Sequence, residues 1–129
     1  MKNTIAREIL DLKIGFDFLL EAGTGENFEL KHKILYLISK NGKTPPKILI
    51  DILGVNKSNL AICCNALVKD GLISKNRELL NKREIYYYIT TKGENLLNDK
   101  LKNVENSLNR LKNKDKIIKS ARNLSKLID

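Results

Sequence analysis

The chain has 129 residues, 42% hydrophobic and 30% charged, with 5% aromatic residues, no Trp, two prolines and seven glycines. That is enough apolar material for one folded, soluble domain, and it favours helices over a strand-rich barrel. The formal net charge of +9 is unevenly spread: residues 1–30 carry −3, residues 31–94 carry +7 and residues 95–129 carry +5.

A basic excess confined to the centre and the C-terminal third attracts polyanions, with nucleic acid first in line. Nineteen of the 24 basic residues are Lys, so a compositional bias could supply part of it. The acidic start shows that the bias is not uniform. "MKNTIAREIL" has charges where a secretory signal would have an apolar core. No segment approaches the roughly 18 apolar residues that span a bilayer. Two adjacent cysteines without an export signal do not suggest a stapled secreted fold. These features place the protein in the cytoplasm, with no membrane partner.

In chain order, Ile5, Ile9, Leu12, Phe16, Leu19 and Leu20 form one helical face over 4–21. "EAGTGEN" (21–27) reads as a turn. A second helix runs roughly from 28 to 40 and stops at Gly42. Thr44-Pro45-Pro46 starts a third, with Thr44 as the cap and Pro45 in the first turn. Ile48, Leu49, Ile52 and Leu53 are its apolar face, and Gly54 closes it. Asn56 or Ser58 then caps a fourth helix over about 57–70. Its buried face is Leu60, Cys63, Cys64 and Leu67. Two short helices joined at a glycine-containing turn are a helix-turn-helix.

After Gly71, "LIS" (72–74) reads as a short strand, "KNRELLNKR" (75–83) as a basic turn and "EIYYYIT" (84–90) as a second strand. "TTKGENLL" opens the last helix, where Leu97, Leu101, Val104, Leu108 and Leu111 make a narrow seam suited to helix packing. Ile117, Ile118, Ala121, Leu124 and Ile128 form a second face out of register with the first, so a break is expected near 113–115. The fold class is mainly α with a small β-hairpin wing.

Residues 31–97 resemble the DNA-binding core of the MarR family of bacterial transcriptional regulators. The recognition helix closes on Leu67, Gly71, Leu72 and Ile73; the wing carries Asn81-Lys82-Arg83; Thr90 and Lys92-Gly93 follow. The resemblance implies a winged-helix core over 28–94, with dimerisation helices at 1–22 and 95–129. It also implies a homodimer on double-stranded DNA and a small-molecule effector. Two residues depart from the family pattern. Asn81 stands where the wing usually has Asp, and Ile62 stands where the recognition helix often has Arg. Both point to weaker binding or a different target sequence.

The residues themselves support the same site. Lys57, Ser58, Asn59 and Asn65 offer polar groups to base edges, and Ala61 and Ile62 could touch thymine methyls. Thr44 joins this DNA-facing set. Arg83 at a hairpin tip suits a narrow minor groove. Lys75, Arg77 and Lys82 suit phosphates, although each could equally be a solvated loop charge. Ile9, Leu12, Phe16, Leu101, Val104, Leu108, Leu111, Ile118 and Leu124 are the expected dimerisation residues.

Other chemistry finds little footing. Cys63 and Cys64 project about 100° apart on a helix and occupy slots for small apolar residues. Two cysteines and one histidine fall short of a zinc site. His32, between Lys31 and Lys33, reads as a surface residue. "NGKT" (41–44) lacks the first glycine of a phosphate loop, since Leu37 is there. "GTG" (23–25) lacks the strand of a dinucleotide fold. Tyr86, Tyr87 and Tyr88 read as strand residues on alternating faces. The expectation is a non-enzymatic, cofactor-free regulator. The rivals are a winged-helix protein–protein module, a nonspecific nucleic-acid binder and a thiol redox enzyme.

Overall fold

The computed structural model describes residues 3–24, 29–77 and 84–128. Among them run α1 (Thr4–Thr24), α2 (Leu30–Asn41), α3 (Pro46–Leu53), α4 (Lys57–Lys69), β1 (Ile73–Arg77), β2 (Ile85–Ile89), α5 (Thr91–Asn109) and α6 (Lys114–Ser125), closed by a 3-10 turn, Lys126–Ile128. The single domain expected from the sequence resolves into two compact units, residues 29–99 and residues 1–28 with 100–129. The division falls inside α5, at residue 100 rather than 95.

In the 29–99 unit, apolar burial gathers α2, α3, α4 and the hairpin around one core. Ile34, Leu35 and Ile38 of α2, Leu49 of α3, Leu60, Cys64 and Leu67 of α4, and Ile73, Tyr87 and Leu97 are all buried. His32 is buried with them at 1% exposure, contrary to its expected surface place. The reason is helical period: His32 lies three residues before Leu35 and shares its inward face, while Lys33 is exposed.

The third helix starts one residue later than expected. Pro45 holds the N-cap position and Pro46 the first turn, where a missing N–H leaves nothing unsatisfied. Thr44 is not the cap. Its backbone pairs with Tyr87 in both directions, at 3.0 and 2.8 Å, and its hydroxyl donates to the Gly42 carbonyl at 3.0 Å. Gly54 closes α3 in the left-handed region at φ 64°, donating its N–H to Ile50.

The wing strand β1 is longer than the sequence suggested. Lys75 and Arg77, expected in the turn, pair with Tyr87 and Ile85 in an antiparallel register that begins at Ile73 and Ile89. Their polarity belongs to an exposed edge rather than a loop. The tip itself (78–83), with the expected contacts Lys82 and Arg83, lies outside the described residues.

In the other unit α1 continues to Thr24, so the start of the expected 21–27 turn is helical. Glu21 and Ala22 are good helix formers, and the first glycine of that stretch, Gly23, comes only at the helix end. The chain breaks between α5 and α6 close to where the change of register placed it. No residue of α6 is buried, and Ile5 and Ile9 of α1 are 68% and 59% exposed. A groove of about 500 Å³ in this unit is lined by Leu12, Phe16, Leu19, Leu111 and Ile117, with Glu8, Asp11 and Lys116 beside them. Among the described residues no helix is long and apolar enough to cross a membrane.

Candidate nucleic-acid interface

The helix α4 is fixed at both ends. At its start the Asn56 side chain accepts the Asn59 backbone N–H at 2.7 Å, so Asn56 is the cap and Ser58 lies within the first turn. At its end Gly71 takes φ 76°, and the trailing carbonyls are gathered by residues from the far side of the wing. The Lys92 ammonium donates to the Asp70 carbonyl at 2.8 Å. The Thr90 hydroxyl donates to the carbonyls of Gly71 and Leu72, at 2.7 and 3.0 Å, and accepts the Gly93 N–H at 3.1 Å. A cation beside the last carbonyls of a helix also opposes its dipole.

Packing Leu60, Cys64 and Leu67 inward turns the opposite face of α4 outward. Ser58, Asn59, Ala61, Ile62 and Asn65 are all exposed there or beside it, and Lys57, on the Leu60–Cys64 side, is exposed because it starts the helix, so six of the expected contacts share one helix. Lys75 and Arg77 are exposed on β1. Thr44 leaves the set: at 0% exposure, with its backbone bonded to Tyr87, it offers nothing to a duplex. Lys43 was not singled out from the sequence. Its ammonium lies 4.1 Å from the centre of the Tyr86 ring, which places a further cation at the base of the wing. Only the pairing of Thr44 with the wing brings the two together, and no local pattern announces that pairing. The Tyr86 hydroxyl donates to the Glu84 carboxylate at 2.6 Å, and this bond raises its pKa.

The cysteines are poor nucleophiles. Burial raises the Cys63 pKa, against the lowering pull of nearby Lys31. Burial pushes the Cys64 thiol up to about 11, only partly opposed by a hydrogen bond from Tyr87. Burial likewise raises Tyr87 to about 12. A reactive cysteine needs a lowered pKa and access to solvent, and Cys64 has neither. Among the described residues no three His, Cys, Asp or Glu side chains converge as metal ligands.

A helix-turn-helix with a hairpin wing defines the class, and residues 28–74 match the family model for winged helix-turn-helix DNA-binding proteins. The architecture of the chain is that of the MarR fold. It superimposes on wild-type MarR from E. coli with a TM-score of 0.76 and 19% identity over 100% of both chains. It superimposes on the regulator Tm0710 from Thermotoga maritima with a TM-score of 0.68 and 21% identity, over 97% of this chain and 95% of that one. A third match is a cysteine-to-serine variant of E. coli MarR complexed with operator DNA, with a TM-score of 0.70 and 20% identity over 98% and 95% of the two chains. No curated protein matches the chain by sequence.

Proposed function

We propose that this protein is a sequence-specific transcriptional regulator that binds DNA as a homodimer. The observation that carries the reading is the outward face of α4, where Ser58, Asn59, Ile62 and Asn65 stand exposed on a helix anchored at both ends. Such a helix can enter a major groove as a rigid body and present short side chains to base edges. Lys75, Arg77 and Lys82 would hold phosphates and fix the register, and Arg83 would enter a narrow minor groove. The excess of cations over the winged-helix core supplies long-range attraction.

The dimer part of the proposal rests on apolar surface that the chain leaves uncovered in its 1–28 and 100–129 unit. Ile9, Leu12, Leu111 and Leu124 are exposed, while Phe16, Leu101, Val104, Leu108 and Ile118 are only half-buried. A twofold dimer would place two reading helices on half-sites about one helical turn apart. A small-molecule effector and a cytoplasmic location belong to the same reading.

The test is selection of bound duplexes from a random library at about 150 mM salt, where purely electrostatic binding is suppressed. A pseudo-palindrome with half-sites about one turn apart is the expected result. Unrelated sequences would mean a nonspecific binder. Recovery of nothing, with no binding even at low salt, would mean a protein–protein module.

A further inference from the structure

The outermost ridge of α4 is apolar at its centre. Successive helical residues are rotated by about 100°, which puts Ile62 opposite the inward side held by Leu60, Cys64 and Leu67. Ser58 and Ala66 lie one turn before and after it, and Asn59 and Asn65 flank it. Ile62 is 69% exposed, so the core does not account for this large β-branched side chain. Its surroundings are polar and, in sequence, basic: the 31–94 stretch carries twelve basic and five acidic groups. A chain segment of that charge attracts DNA, yet the residue at the centre of this ridge carries no donor, acceptor or charge on its side chain.

We infer that Ile62 is a specificity-determining residue that seats against the C5-methyl of a thymine in the major groove. This rests on the DNA-binding reading above and assigns the kind of half-site it takes. The thymine methyl is the apolar feature of the major-groove edge. A side chain with a stiff χ1 can meet it without losing much rotamer freedom. The two asparagines beside Ile62 match the donor and acceptor pair that adenine presents in the same groove. Together the three select a half-site with A·T pairs at its centre. The commonest guanine-reading contact would put a cation at this position, and within α4 the cation on the same ridge, Lys69, comes two turns later, where the helix ends.

The experiment uses the full chain and the best duplex from the random-library selection, remade with deoxyuridine in place of each thymidine in turn. Uracil pairs as thymine does and lacks only the methyl. One position in each half-site should lose about fourfold in affinity, the worth of one buried methyl, and about sixteenfold when both half-sites are changed. Ile62→Ala should bind the thymine duplex more weakly and no longer distinguish it from the uracil duplex. Because the side chain is exposed, its thermal unfolding should match that of the unsubstituted protein. Equal binding of thymine and uracil duplexes by the unsubstituted protein would overturn the inference and leave specific binding intact. Full discrimination retained by Ile62→Ala would do the same. A selection that yields no preferred duplex would remove the regulator reading, and this inference with it.

Discussion

The thiol of Cys64 lies beneath the wing, bonded by the Tyr87 hydroxyl, with its pKa near 11. Iodoacetamide at pH 8 should therefore label it only as fast as the protein opens, while half-buried Cys63 reacts first; mass spectrometry of partly labelled protein reads the order. The same burial has a consequence at alkaline pH. In the unfolded chain Cys64 ionises near 9.0 and Tyr87 near 10.0, whereas the folded values are about 11 and about 12. Folded values above the unfolded ones mean stability that is complete below pH 9 and lost as pH rises towards 11 and 12. Urea midpoints should fall from pH 8 to 11, and Cys64→Ala should flatten part of that decline. A midpoint independent of pH would contradict the burial of both groups. Contacts with DNA divide differently. The Asn59 backbone is occupied by the Asn56 cap, and its side chain is exposed. Asn59→Ala should cost about 1–3 kcal/mol on the selected duplex and little elsewhere, while Lys82→Ala should weaken all sequences alike and lower the salt slope by about one. Titrations on selected and unselected duplexes separate the two. Most of these exposed positions on α4 were legible from helical spacing. Thr44 was not, because its burial comes from Tyr87, 43 residues away in the sequence. His32 was misread because two neighbouring lysines outweighed its place on the apolar face of α2.

At the scale of elements, the same periodicity made every helix legible, and the glycines marked where three of them end. The length of β1 was not legible. Polar residues at an exposed edge and polar residues in a turn look alike until a partner strand is known, and the partner here is "IYYYI". The join between the wing and α5 was legible only as "TTKG". The structure gives three of its residues, and Glu94 after them, a task. Thr90 and Lys92 collect the carbonyls at the end of α4, and Glu94 accepts a 2.7 Å hydrogen bond from Ser39 of α2. Gly93 lets these meet. A Cβ there would run into the Leu72 carbonyl oxygen and come within 2.8 Å of the Ile89 side chain. Because the obstacle is backbone, relief requires the α4–β1 turn or the start of α5 to move. Gly93→Ala should therefore destabilise the protein by roughly 1–3 kcal/mol, the usual range for overpacking. Urea unfolding measures this directly. Unchanged stability would show that the turn has room the structure does not contain.

For the whole molecule, the proposed dimer makes the exposed helices and the reading helix interdependent. The 1–28 and 100–129 unit has no buried residue in α6 and a groove of about 500 Å³ beside α1, so its apolar surface is far from covered by the chain itself. A second copy would cover it, and a charge placed on that surface would be costly to bury unpaired. Ile9→Glu adds such a charge at a position 59% exposed in the single chain, where a monomer tolerates it. The variant should thus keep its helical content and sediment as a monomer at concentrations where the unsubstituted protein is a dimer. Its DNA binding should then change selectively. Two linked reading helices gain about 10²-fold or more over one from effective concentration. The variant should lose that factor on the paired half-sites and lose little on a single half-site. If Ile9→Glu remains a dimer, the interface lies elsewhere than on this face of α1. If it becomes a monomer and still binds the paired site with undiminished affinity, dimerisation is not what joins the two half-sites.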